Sequence, residues 1–490
     1  MVGKSLLALL LLPLCAAKQD RQPDDDDRTI WVSNGTGVPG ELFVGLLNTG
    51  RKGQAHRIEV RFDALGLDGA AYDVFDASAG MRPLAHPRDT FGANVVPEQV
   101  VLLKLTPRAR GGRAAAAAEG RRAAAGPAAP RAAATDAGAA IAALQTWYDA
   151  KTGLWDLAPE GAQWWNSANC LELVCNYVIH ENGAADGLLA VINATFALTT
   201  LEETLTGRYD DEGWWCLALV RAYEAAGDAA YLDRAEKIFA DLAVHAWDDA
   251  CGGGVWWSYA KSYKNAITNE LFFAMAMKLH GAAGPDVVVA GRTYLDWGRA
   301  TWAWFEHSGL VNGADLVNDG LVSSGADPSC ANNGQQVWSY NQGVVLGGLA
   351  DLYEETRNST LLDVGLAIAT AATERLAWNG TAILAESCDG PDLNGCDLDQ
   401  EQFKGIFARY VMYFALTLEG STMGAYAAGA RDLRAWAATN AAAIWGDDRD
   451  ASDLSELWAG PFAASRGGPG AIMQASAADA LLATAVLGAP

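Results

Sequence analysis

The feature of this sequence that most constrains its fold is a helical periodicity of apolar residues, which runs from residue 139 to the C-terminus. It is clear in the segment TNELFFAMAMKLHG, where one helical face is formed by Ile267, Leu271, Ala274, Met275 and Lys278. Gly281 follows at the position of a helix C-cap. We therefore predict that this part of the chain is helical.

Many segments share this periodicity, and strand signals of comparable weight are missing between them. Their predicted starts lie near Ala139, Ser167, Gly187, Glu212, Ala230, Tyr263, Val287, Tyr340, Leu361, Gln402, Ser421 and Pro469. Taken in pairs, the segments recur at roughly 50 to 60 residues, which is typical of helical hairpins in a stacked or closed array. We predict a closed ring of six inner and six outer helices, and an open α-solenoid is the alternative.

The N-terminal residues have a different character. Residues 1–17 contain a short apolar run followed by small residues, which is typical of a cleaved secretory signal because the run is too short to span a bilayer. A buried strand is the alternative. Residues 18–29 are predicted to form an acidic tail. Residues 108–138 are rich in Ala, Arg, Gly and Pro and are predicted to be a flexible linker before the helical domain, residues 139–490.

Residues 30–107 contain short runs rich in Val, Leu, Phe and Tyr, separated by Gly, Asn and Asp turns. This pattern predicts a small antiparallel β-sandwich. The runs EVRFDALGL, YDVFDASAG and VVPEQVVLLKLTP resemble the C-terminal β-sandwich of family 27 glycoside hydrolases, the α-galactosidases. That family's catalytic barrel and acidic motifs are absent from the sequence, so the resemblance implies an accessory module that binds a glycan or packs against its neighbour.

The charge of the chain limits its partners. It carries 35 basic and 59 acidic residues, a net charge of -24, which repels nucleic acids and anionic membrane surfaces. Eighteen tryptophans, several beside Gly, Asn or Asp, favour a carbohydrate ligand because indole faces stack on sugar rings, although large aromatics also fill cores. The six histidines show no metal-ligand spacing, so no metal or cofactor is expected, and no transmembrane segment is predicted.

Secretion would permit disulfides. If Cys15 leaves with the signal, seven cysteines remain, so one thiol is predicted to stay free, and Cys216 is the candidate because its neighbours are apolar. The sequence does not determine the connectivity. The pairs closest in sequence are Cys170 with Cys175 and Cys388 with Cys396. Sequons that would allow N-glycosylation occur at Asn34, Asn193, Asn358 and Asn379.

Polar and aromatic blocks lie in the predicted connections rather than on the helix faces, and loops at one end of a ring would bring them together. In YDDEGWW, Asp210 and Asp211 stand at the start of a predicted helix. An adjacent acid pair suits hydrolysis of a glycosidic bond with retention of configuration, because that mechanism needs two carboxyls close together. Mutual repulsion then keeps one carboxyl protonated and the other ionised. The alternative is that both acids only stabilise the helix N-terminus. A second pair in WDDAC, Asp248 and Asp249, lacks the following tryptophans and is predicted to be a turn.

These blocks, in their order, resemble glycoside hydrolase family 76, the endo-α-1,6-mannanases, over residues 141–485. The resemblance rests on LQTWYDAKTGLW, WWNSAN, YKNAITNELF, NNGQQVWSYNQGVVLGGLADLY and WAGPF followed by QASAADALLATA. It implies a mainly α fold, an (α/α)6 barrel preceded by the β-sandwich. It also implies that Asp210 is the nucleophile and Asp211 the acid/base.

The candidate substrate-binding residues come from the same blocks. They are Trp165, Asn166, Trp214, Trp256, Trp257, Lys264, Asn265, Asp319, Tyr340, Asn341, Gln342 and Lys404. For Lys264 and Lys404, the alternatives are that they orient carboxylates or pair with them on the surface. The sequence thus predicts a secreted, extracellular or cell-wall enzyme that cleaves α-1,6-mannan or mannose-containing glycans from within. A cell-wall or glycan-anchor transglycosidase and a noncatalytic glycan-binding protein are the alternatives.

Overall fold

The chain forms two compact units, Met1–Ala123 and Ala124–Pro490. The computed structural model describes residues 18–20, 28–34, 42–48, 56–61, 72–76, 82–84, 90–95, 100–107, 131–155, 164–180, 185–322, 329–389, 395–421, 424–464 and 469–488. The predicted signal peptide, residues 1–17, lies outside this set, as do residues 108–130 of the predicted linker.

The first unit consists of antiparallel strands in two sheets. The strands are β1 (Lys18–Asp20), β2 (Arg28–Asn34), β3 (Leu42–Asn48), β4 (His56–Arg61), β5 (Tyr72–Asp76), β6 (Arg82–Leu84), β7 (Thr90–Val95) and β8 (Val100–Pro107). The larger sheet has the order β1-β2-β3-β8-β5-β6, and β4 pairs with β7 in the smaller one. Strands of the two sheets contact each other, as the predicted sandwich requires.

Alternation of side chains explains how the sheets bury a core. Val44 and Leu46 on β3 are two residues apart and therefore share a face, and Val44 pairs with Leu103 on β8. These three side chains are fully buried, and Val60 of the smaller sheet is buried as well. One boundary is corrected: Lys18–Asp20, predicted as part of an acidic tail, pairs with β2, because main-chain pairing at a sheet edge does not require apolar side chains.

Twelve long helices make up the described part of the second unit. They are α1 (Arg131–Leu144), α2 (Trp164–His180), α3 (Ala185–Leu198), α4 (Tyr209–Ala226), α5 (Ala229–His245), α6 (Ala266–Ala283), α7 (Tyr294–His307), α8 (Ser339–Thr356), α9 (Thr360–Arg375), α10 (Gln400–Gly420), α11 (Ala427–Asp447) and α12 (Ala471–Leu487). A single turn, Leu201–Thr204, precedes α4. Helix α1 begins within the range predicted as linker, so regular structure starts earlier than that boundary.

The even-numbered helices form a closed inner ring. Each contacts the next, from α2 to α12, and α12 contacts α2. The odd-numbered helices pack outside them, and the inner helices are buried on nearly all sides. Contact between α12 and α2 closes the ring, so the open solenoid is excluded and the predicted barrel is confirmed. Among the described residues, no helix is both long enough and apolar enough to cross a membrane.

Local signals set the helix ends. Helix α4 ends at Gly227, which has a left-handed φ of 75°, and the next residue, Asp228, caps α5 by accepting a hydrogen bond from the Ala230 amide at 2.9 Å. Helix α7 begins at Tyr294 rather than near Val287, because Val288–Val289 and Arg292–Thr293 pair as a short hairpin. The turn between α4 and α5 therefore agrees with its sequence signals, whereas the predicted start of α7 does not agree with the structure.

A buried ionic network joins the last inner helices to the first. The Arg409 guanidinium on α10 donates to Asp479 Oδ1 on α12 at 3.0 Å and to Glu172 Oε2 on α2 at 2.7 Å. It also donates to Asn169 Oδ1 at 3.0 Å. All of these residues are buried, so the charges compensate one another away from water. Arg409 therefore ties together the three helices at which the ring closes.

The described cysteines form two disulfides, Cys251–Cys330 and Cys388–Cys396. The first joins the α5–α6 connection to the α7–α8 connection, and the second closes a short loop before α10. Three thiols are free and buried, namely Cys170, Cys175 and Cys216. The prediction of one free thiol is therefore wrong, although Cys216 is free as predicted. Cys170 and Cys175 are both on helix α2, where each is covered by apolar neighbours instead of bonding to the other.

Candidate active site

The first turns of the inner helices meet at one end of the ring, where their aromatic side chains form a cluster. The Trp165 ring on α2 stacks on Trp214 of α4 with centroids 5.6 Å apart. Tyr340 of α8 stacks on Phe403 of α10 at 3.8 Å and on Trp214 at 6.4 Å. Because the inner helices run in the same direction, residues far apart in sequence come together here. Trp214 is almost fully buried as the base of this cluster, whereas Tyr340 is half-buried.

Asp210 and Asp211 lie in the first turn of α4 and are half-buried. Asp210 Oδ2 accepts a hydrogen bond from the Trp257 indole nitrogen at 2.7 Å. Its Oδ1 accepts one from the Asp211 amide at 3.0 Å. The N-cap residue of α4 is Arg208, whose side chain makes no capping hydrogen bond. Neither acid of the pair is therefore the N-cap residue, although both lie in the first turn, where the helix dipole favours negative charge.

The surroundings of the two carboxyls give them different proton affinities. Burial raises the pKa of Asp210 to about 6, although the hydrogen bond from Trp257 opposes this rise. Burial, followed by the negative charge of Asp210, raises the pKa of Asp211 to about 8. The two titrations are coupled and belong to the pair. Between about pH 6 and pH 8 the pair thus holds one proton, so one carboxyl can act as a nucleophile and the other as a general acid.

A third carboxylate, Asp399, belongs to the same site. It directly precedes α10, and its Oδ1 accepts a hydrogen bond from the Trp165 indole nitrogen at 2.9 Å. Burial raises its own pKa, and its negative charge raises the pKa of both Asp210 and Asp211. Sequence reasoning did not assign Asp399. Its signal is its place in DQEQFKG, immediately before an inner helix.

Two other acids on the inner helices are buried, Glu212 on α4 and Glu270 on α6. Glu212 Oε1 accepts a hydrogen bond from the Gly207 amide at 2.7 Å, and burial raises the pKa of Glu212 to about 8. Glu270 on α6 is fully buried, and neither of its oxygens has a hydrogen-bond partner among the described residues. Burial, and to a lesser degree the negative charge of Asp319, raise the pKa of Glu270 well above its usual range. Neither acid was assigned from the sequence, since each lies within a helical pattern.

Lys264 supports the loop that carries Trp257. Its buried ammonium donates to Asp248 Oδ1 at 3.0 Å and to the carbonyls of Ala250 at 2.6 Å, Gly253 at 2.6 Å and Gly254 at 3.0 Å. Burial lowers the pKa of Lys264. The ammonium is enclosed by protein oxygens, so Lys264 presents no polar group to a ligand in this structure. It pairs with the Asp248 carboxylate, but in the interior rather than on the surface.

The second acid pair has a structural role. Asp248 Oδ2 accepts a hydrogen bond from the Trp256 indole nitrogen at 2.6 Å, and its Oδ1 accepts one from the Ala250 amide at 3.0 Å. Asp249 is exposed. Asp248 therefore stabilises a turn, as predicted. Trp256 is buried in this turn, and its indole N–H is directed at Asp248 rather than into a cleft.

Lys404 and Gln342 are also bonded within the protein. The Lys404 ammonium is buried and donates to Asp389 and to the carbonyl of Glu456. Gln342 on α8 is fully buried, and it accepts from the Val317 amide at 2.7 Å and donates to the Val317 carbonyl at 2.8 Å. Their predicted contact with substrate is corrected for this reason: each fixes a connection to an inner helix.

The two asparagines of the inner helices that were predicted to bind substrate, Asn166 and Asn341, are fully buried. Asn166 Nδ2 donates to Gln402 Oε1 at 2.6 Å, which joins α2 to α10. Asn341 has no hydrogen-bond partner among the described residues for either atom of its amide. Both are covered by protein, so neither presents surface to a ligand in this structure, and their role in substrate binding stays a prediction.

Asn265 and Asp319 lie at the N-terminus of α6. Asn265 caps α6 by accepting from the Thr268 amide at 3.4 Å. Asp319 is half-buried, and its Oδ2 accepts a hydrogen bond from the Tyr263 hydroxyl. Of the predicted binding residues, Asp319, Tyr340 and Trp257 therefore retain exposed surface near the acid pair. The negative charges of Asp319 and Asp210 both raise the pKa of Tyr340, after the larger effect of burial.

Comparison with known proteins identifies relatives over the helical unit. A family model described as glycosyl hydrolase family 76 matches residues 132–488. The mannan endo-1,6-alpha-mannosidase DCW1 of Eremothecium gossypii is 27% identical over 268 residues, which are 51% of this chain and 57% of that protein. The chain spans about half the length of the curated relatives it matches.

Two solved structures share the fold. One is the GH76A alpha-1,6-mannanase of Salegentibacter sp. HEL1_6, in an inactive variant with two consecutive aspartates replaced by asparagine, in complex with alpha-1,6-mannotriose. Its TM-score is 0.62 at 20% identity, covering 72% of this chain and 99% of that one. The other is Dfg5 from Chaetomium thermophilum in complex with glucosamine, with a TM-score of 0.58 at 19% identity, covering 73% and 90%.

Proposed function

The chain belongs to glycosyl hydrolase family 76, and we propose that it cleaves α-1,6-mannosidic linkages within mannan, with retention of anomeric configuration. The observation that carries the proposal is the pair Asp210 and Asp211, of which only Asp210 accepts an indole hydrogen bond among the described residues. The relatives named mannan endo-1,6-alpha-mannosidase support the substrate class. The inactive mannanase variant, altered at two consecutive aspartates, supports the choice of residues.

The proposed mechanism is a double displacement. Retaining enzymes place their two carboxyls about 5 to 5.5 Å apart. Consecutive Cα atoms are about 3.8 Å apart, so neighbouring side chains that diverge slightly reach this separation. The Asp210 carboxylate attacks the anomeric carbon, the glycosidic C–O bond breaks, and Asp211 gives its proton to the leaving oxygen.

The second half of the reaction restores both groups. Asp211, now ionised, takes a proton from a water molecule, and the water oxygen displaces Asp210 from the anomeric carbon. The product keeps the original configuration because two inversions cancel. The half-buried rings of Tyr340 and Trp257 flank the pair and offer apolar surface to the sugar.

The test is incubation of the protein with linear α-1,6-mannan, followed by sizing of the products and NMR of the first anomer released. We expect mid-length fragments early, as endo cleavage gives, and α-anomers. Asp210→Asn and Asp211→Asn should each reduce kcat/KM by about 10²- to 10⁴-fold, the contribution of a positioned acid, base or nucleophile. Asp249→Asn, an exposed member of the other acid pair, should keep the activity of the parent protein. Binding of mannan without cleavage by the parent would instead favour a noncatalytic glycan-binding protein.

Transfer to a carbohydrate acceptor is the second candidate. Three carboxyls, Asp210, Asp211 and Asp399, surround the site, and an acidic site favours a cationic amino sugar. The glucosamine complex of Dfg5 supports this choice of acceptor. Adding a glucosamine-containing acceptor to the mannan digest should then give elongated products. A product profile that the acceptor does not change would contradict transfer.

We also propose that the protein is secreted, to the extracellular space or the cell wall. Residues 1–17 have the pattern of a signal peptide, and the two disulfides suit an oxidising compartment. Expression with and without residues 1–17 tests this by the fraction of protein found in the medium. Equal fractions would contradict it.

A further inference from the structure

Indole N–H groups distinguish the three carboxyls of the site. Asp210 accepts a hydrogen bond from Trp257 at 2.7 Å, and Asp399 accepts one from Trp165 at 2.9 Å. No side chain among the described residues donates a hydrogen bond to the Asp211 carboxyl. An indole N–H can donate but cannot accept, so it stabilises a carboxylate and has no acceptor to offer a protonated acid. Asp211 is therefore the carboxyl that lacks this stabilisation.

Trp257 is held in place by main-chain hydrogen bonds on both sides. Its amide donates to the Tyr263 carbonyl at 2.8 Å, and its carbonyl accepts from the Tyr209 amide at 3.0 Å. Tyr209 is the first residue of the helix that carries the acid pair. The loop strand with Trp257 and the helix with Asp210 are thus bonded directly to each other, which fixes the indole relative to its acceptor.

The neighbouring residues keep this loop from moving. Asn269 on α6 accepts from the Val255 amide at 2.8 Å and donates to the Val255 carbonyl at 3.0 Å. Lys264 bonds the carbonyls of Gly253 and Gly254, as described above. A side chain at Gly254 would meet the Trp304 ring at 2.7 Å, so the loop is also packed closely against α7.

We propose that Trp257 is a positioning residue, whose indole N–H holds Asp210 as the ionised member of the pair and thereby leaves the proton on Asp211. The inference deepens the proposed function and rests on it. It differs from a sugar-stacking role, which needs the ring of Trp257 but not its N–H group.

Several other groups influence the charge of Asp210. On its own element these are Asp211, Glu212 and the preceding Arg208, whose guanidinium lies 6.0 Å from the centre of the Trp257 ring. From the opposite elements, Asp399 and Tyr340 face the pair. Among the described residues, Trp257 is the one side chain that donates a hydrogen bond to Asp210. Without it, burial and the charge of Asp399 would favour protonation of Asp210.

The test compares Trp257→Phe with Trp256→Phe. The first variant keeps an aromatic ring and loses the donor to Asp210. The second loses an equivalent indole–carboxylate bond one residue away, to Asp248. A hydrogen bond to a charged group is strong enough to move a pKa by about 1 to 2 units. We expect the acid limb of the pH profile of kcat/KM for mannan cleavage to move to higher pH by that amount in Trp257→Phe. At pH 5, kcat should fall by about 10- to 100-fold, and KM should change less than about twofold. The limb should not move in Trp256→Phe.

Unchanged kcat and pH dependence in Trp257→Phe, together with a raised KM in Trp257→Ala, would overturn the proposal in favour of stacking. A readout independent of substrate is ¹³C NMR of carboxyl-labelled aspartates, with Asp210→Asn identifying the signal of Asp210. Its midpoint should rise in Trp257→Phe, and an unmoved midpoint would also overturn the inference. If the midpoint rises but the parent protein does not cleave mannan, the proposed function fails while the positioning role stands.

Discussion

Asp210 and Asp211 have the same side chain and adjacent backbone positions, so their different proton affinities come from their surroundings. Asp210 has two hydrogen-bond donors, the Trp257 indole and the Asp211 amide. For Asp211, the largest effect on the pKa after burial is the negative charge of Asp210. Asp399 adds a further negative charge to both. At the scale of single residues, the proposed mechanism lets donor placement decide which acid attacks and which gives a proton.

The pH dependence of cleavage follows from these groups. Activity requires Asp210 ionised and Asp211 protonated, so kcat/KM should rise through a pKa of about 6 and fall through one of about 8. Because the charge of Asp399 raises both pKa values, Asp399→Asn should move both limbs to lower pH. The measurement is kcat/KM on α-1,6-mannan from pH 4 to 9 for the parent and the variant. Limbs that stay in place, or that move to higher pH, would contradict this account.

At the scale of elements, the inner helices supply both the groups of the site and the contacts that close the ring. Their first turns carry aromatic and acidic groups of the site, as Trp165 and Asp210 show. Contacts that close the ring come from further along a helix, as Arg409 shows. The connections before the inner helices are fixed by buried polar side chains such as Lys264 and Lys404. Several residues predicted to bind substrate in fact hold these connections.

Arg409 offers a test of ring closure. Arg409→Met leaves the buried carboxylates of Asp479 and Glu172 without their partner, and breaking a buried pair in this way costs about 3 to 5 kcal/mol. Arg434→Met is the matched control, because its pair with Glu419 is partly exposed and worth about 1 kcal/mol or less. The measurement is the free energy of unfolding from urea titration. Similar losses in the free energy of unfolding in both variants would show that the buried network does not stabilise the closure of the ring.

The two disulfides should differ in their effect on stability. They close loops with sequence separations of 79 and 8 residues. From the loop-closure entropy of the unfolded chain, removing the disulfide of the longer loop should lower the free energy of unfolding by about 4 to 5 kcal/mol. Removing that of the shorter loop should lower it by about 2 to 3 kcal/mol. Paired Cys→Ala variants at Cys251 with Cys330, and at Cys388 with Cys396, measured by urea unfolding, compare them directly. Equal losses, or a larger loss for the short loop, would contradict the prediction.

At the scale of the whole molecule, the helical unit buries many acids. Burial raises the pKa of Asp210 and Asp479 to about 6, of Glu386 and Asp448 to about 7, and of Asp211, Glu212 and Glu401 to about 8. Each of these groups binds its proton more tightly in the folded chain than in the unfolded one. His180 acts in the opposite sense below about pH 6.5, because burial lowers its pKa to about 4.

This arrangement predicts stability that declines with rising pH. Between about pH 5 and pH 9 the folded state holds more protons than the unfolded state, so the free energy of unfolding falls as pH rises through the folded pKa values. Tm measured across this range should therefore decrease. Glu401→Gln, which removes a carboxyl that Glu456 and Asp397 also repel, should raise Tm at pH 9 more than at pH 5. A Tm that increases toward pH 9 would contradict the prediction.

Patterns among residues close in sequence predicted much of the secondary structure and the position of the acid pair. The helical periods, the antiparallel strands and the position of the acid pair at a helix start follow from residues close in sequence, whereas contact between α12 and α2 decided between the closed ring and the open solenoid. Asp399, the disulfide Cys251–Cys330 and the enclosure of Lys264 did not follow, because each depends on contacts between segments far apart in the chain. The free thiols Cys170 and Cys175 show the same limit: they are close in sequence, yet tertiary packing buries each without bonding them to each other.

The sequence by itself determined which segments are helices, which acids stand side by side and which residue types surround them, since these depend on periodicity and order along the chain. Only the tertiary structure decided what each polar group bonds to. Whether a tryptophan donates to Asp210 or to Asp248, and whether a lysine faces a ligand or four protein oxygens, depends on distances of a few ångströms between separate elements. Those distances arise when the ring closes and brings the first turns of its inner helices together.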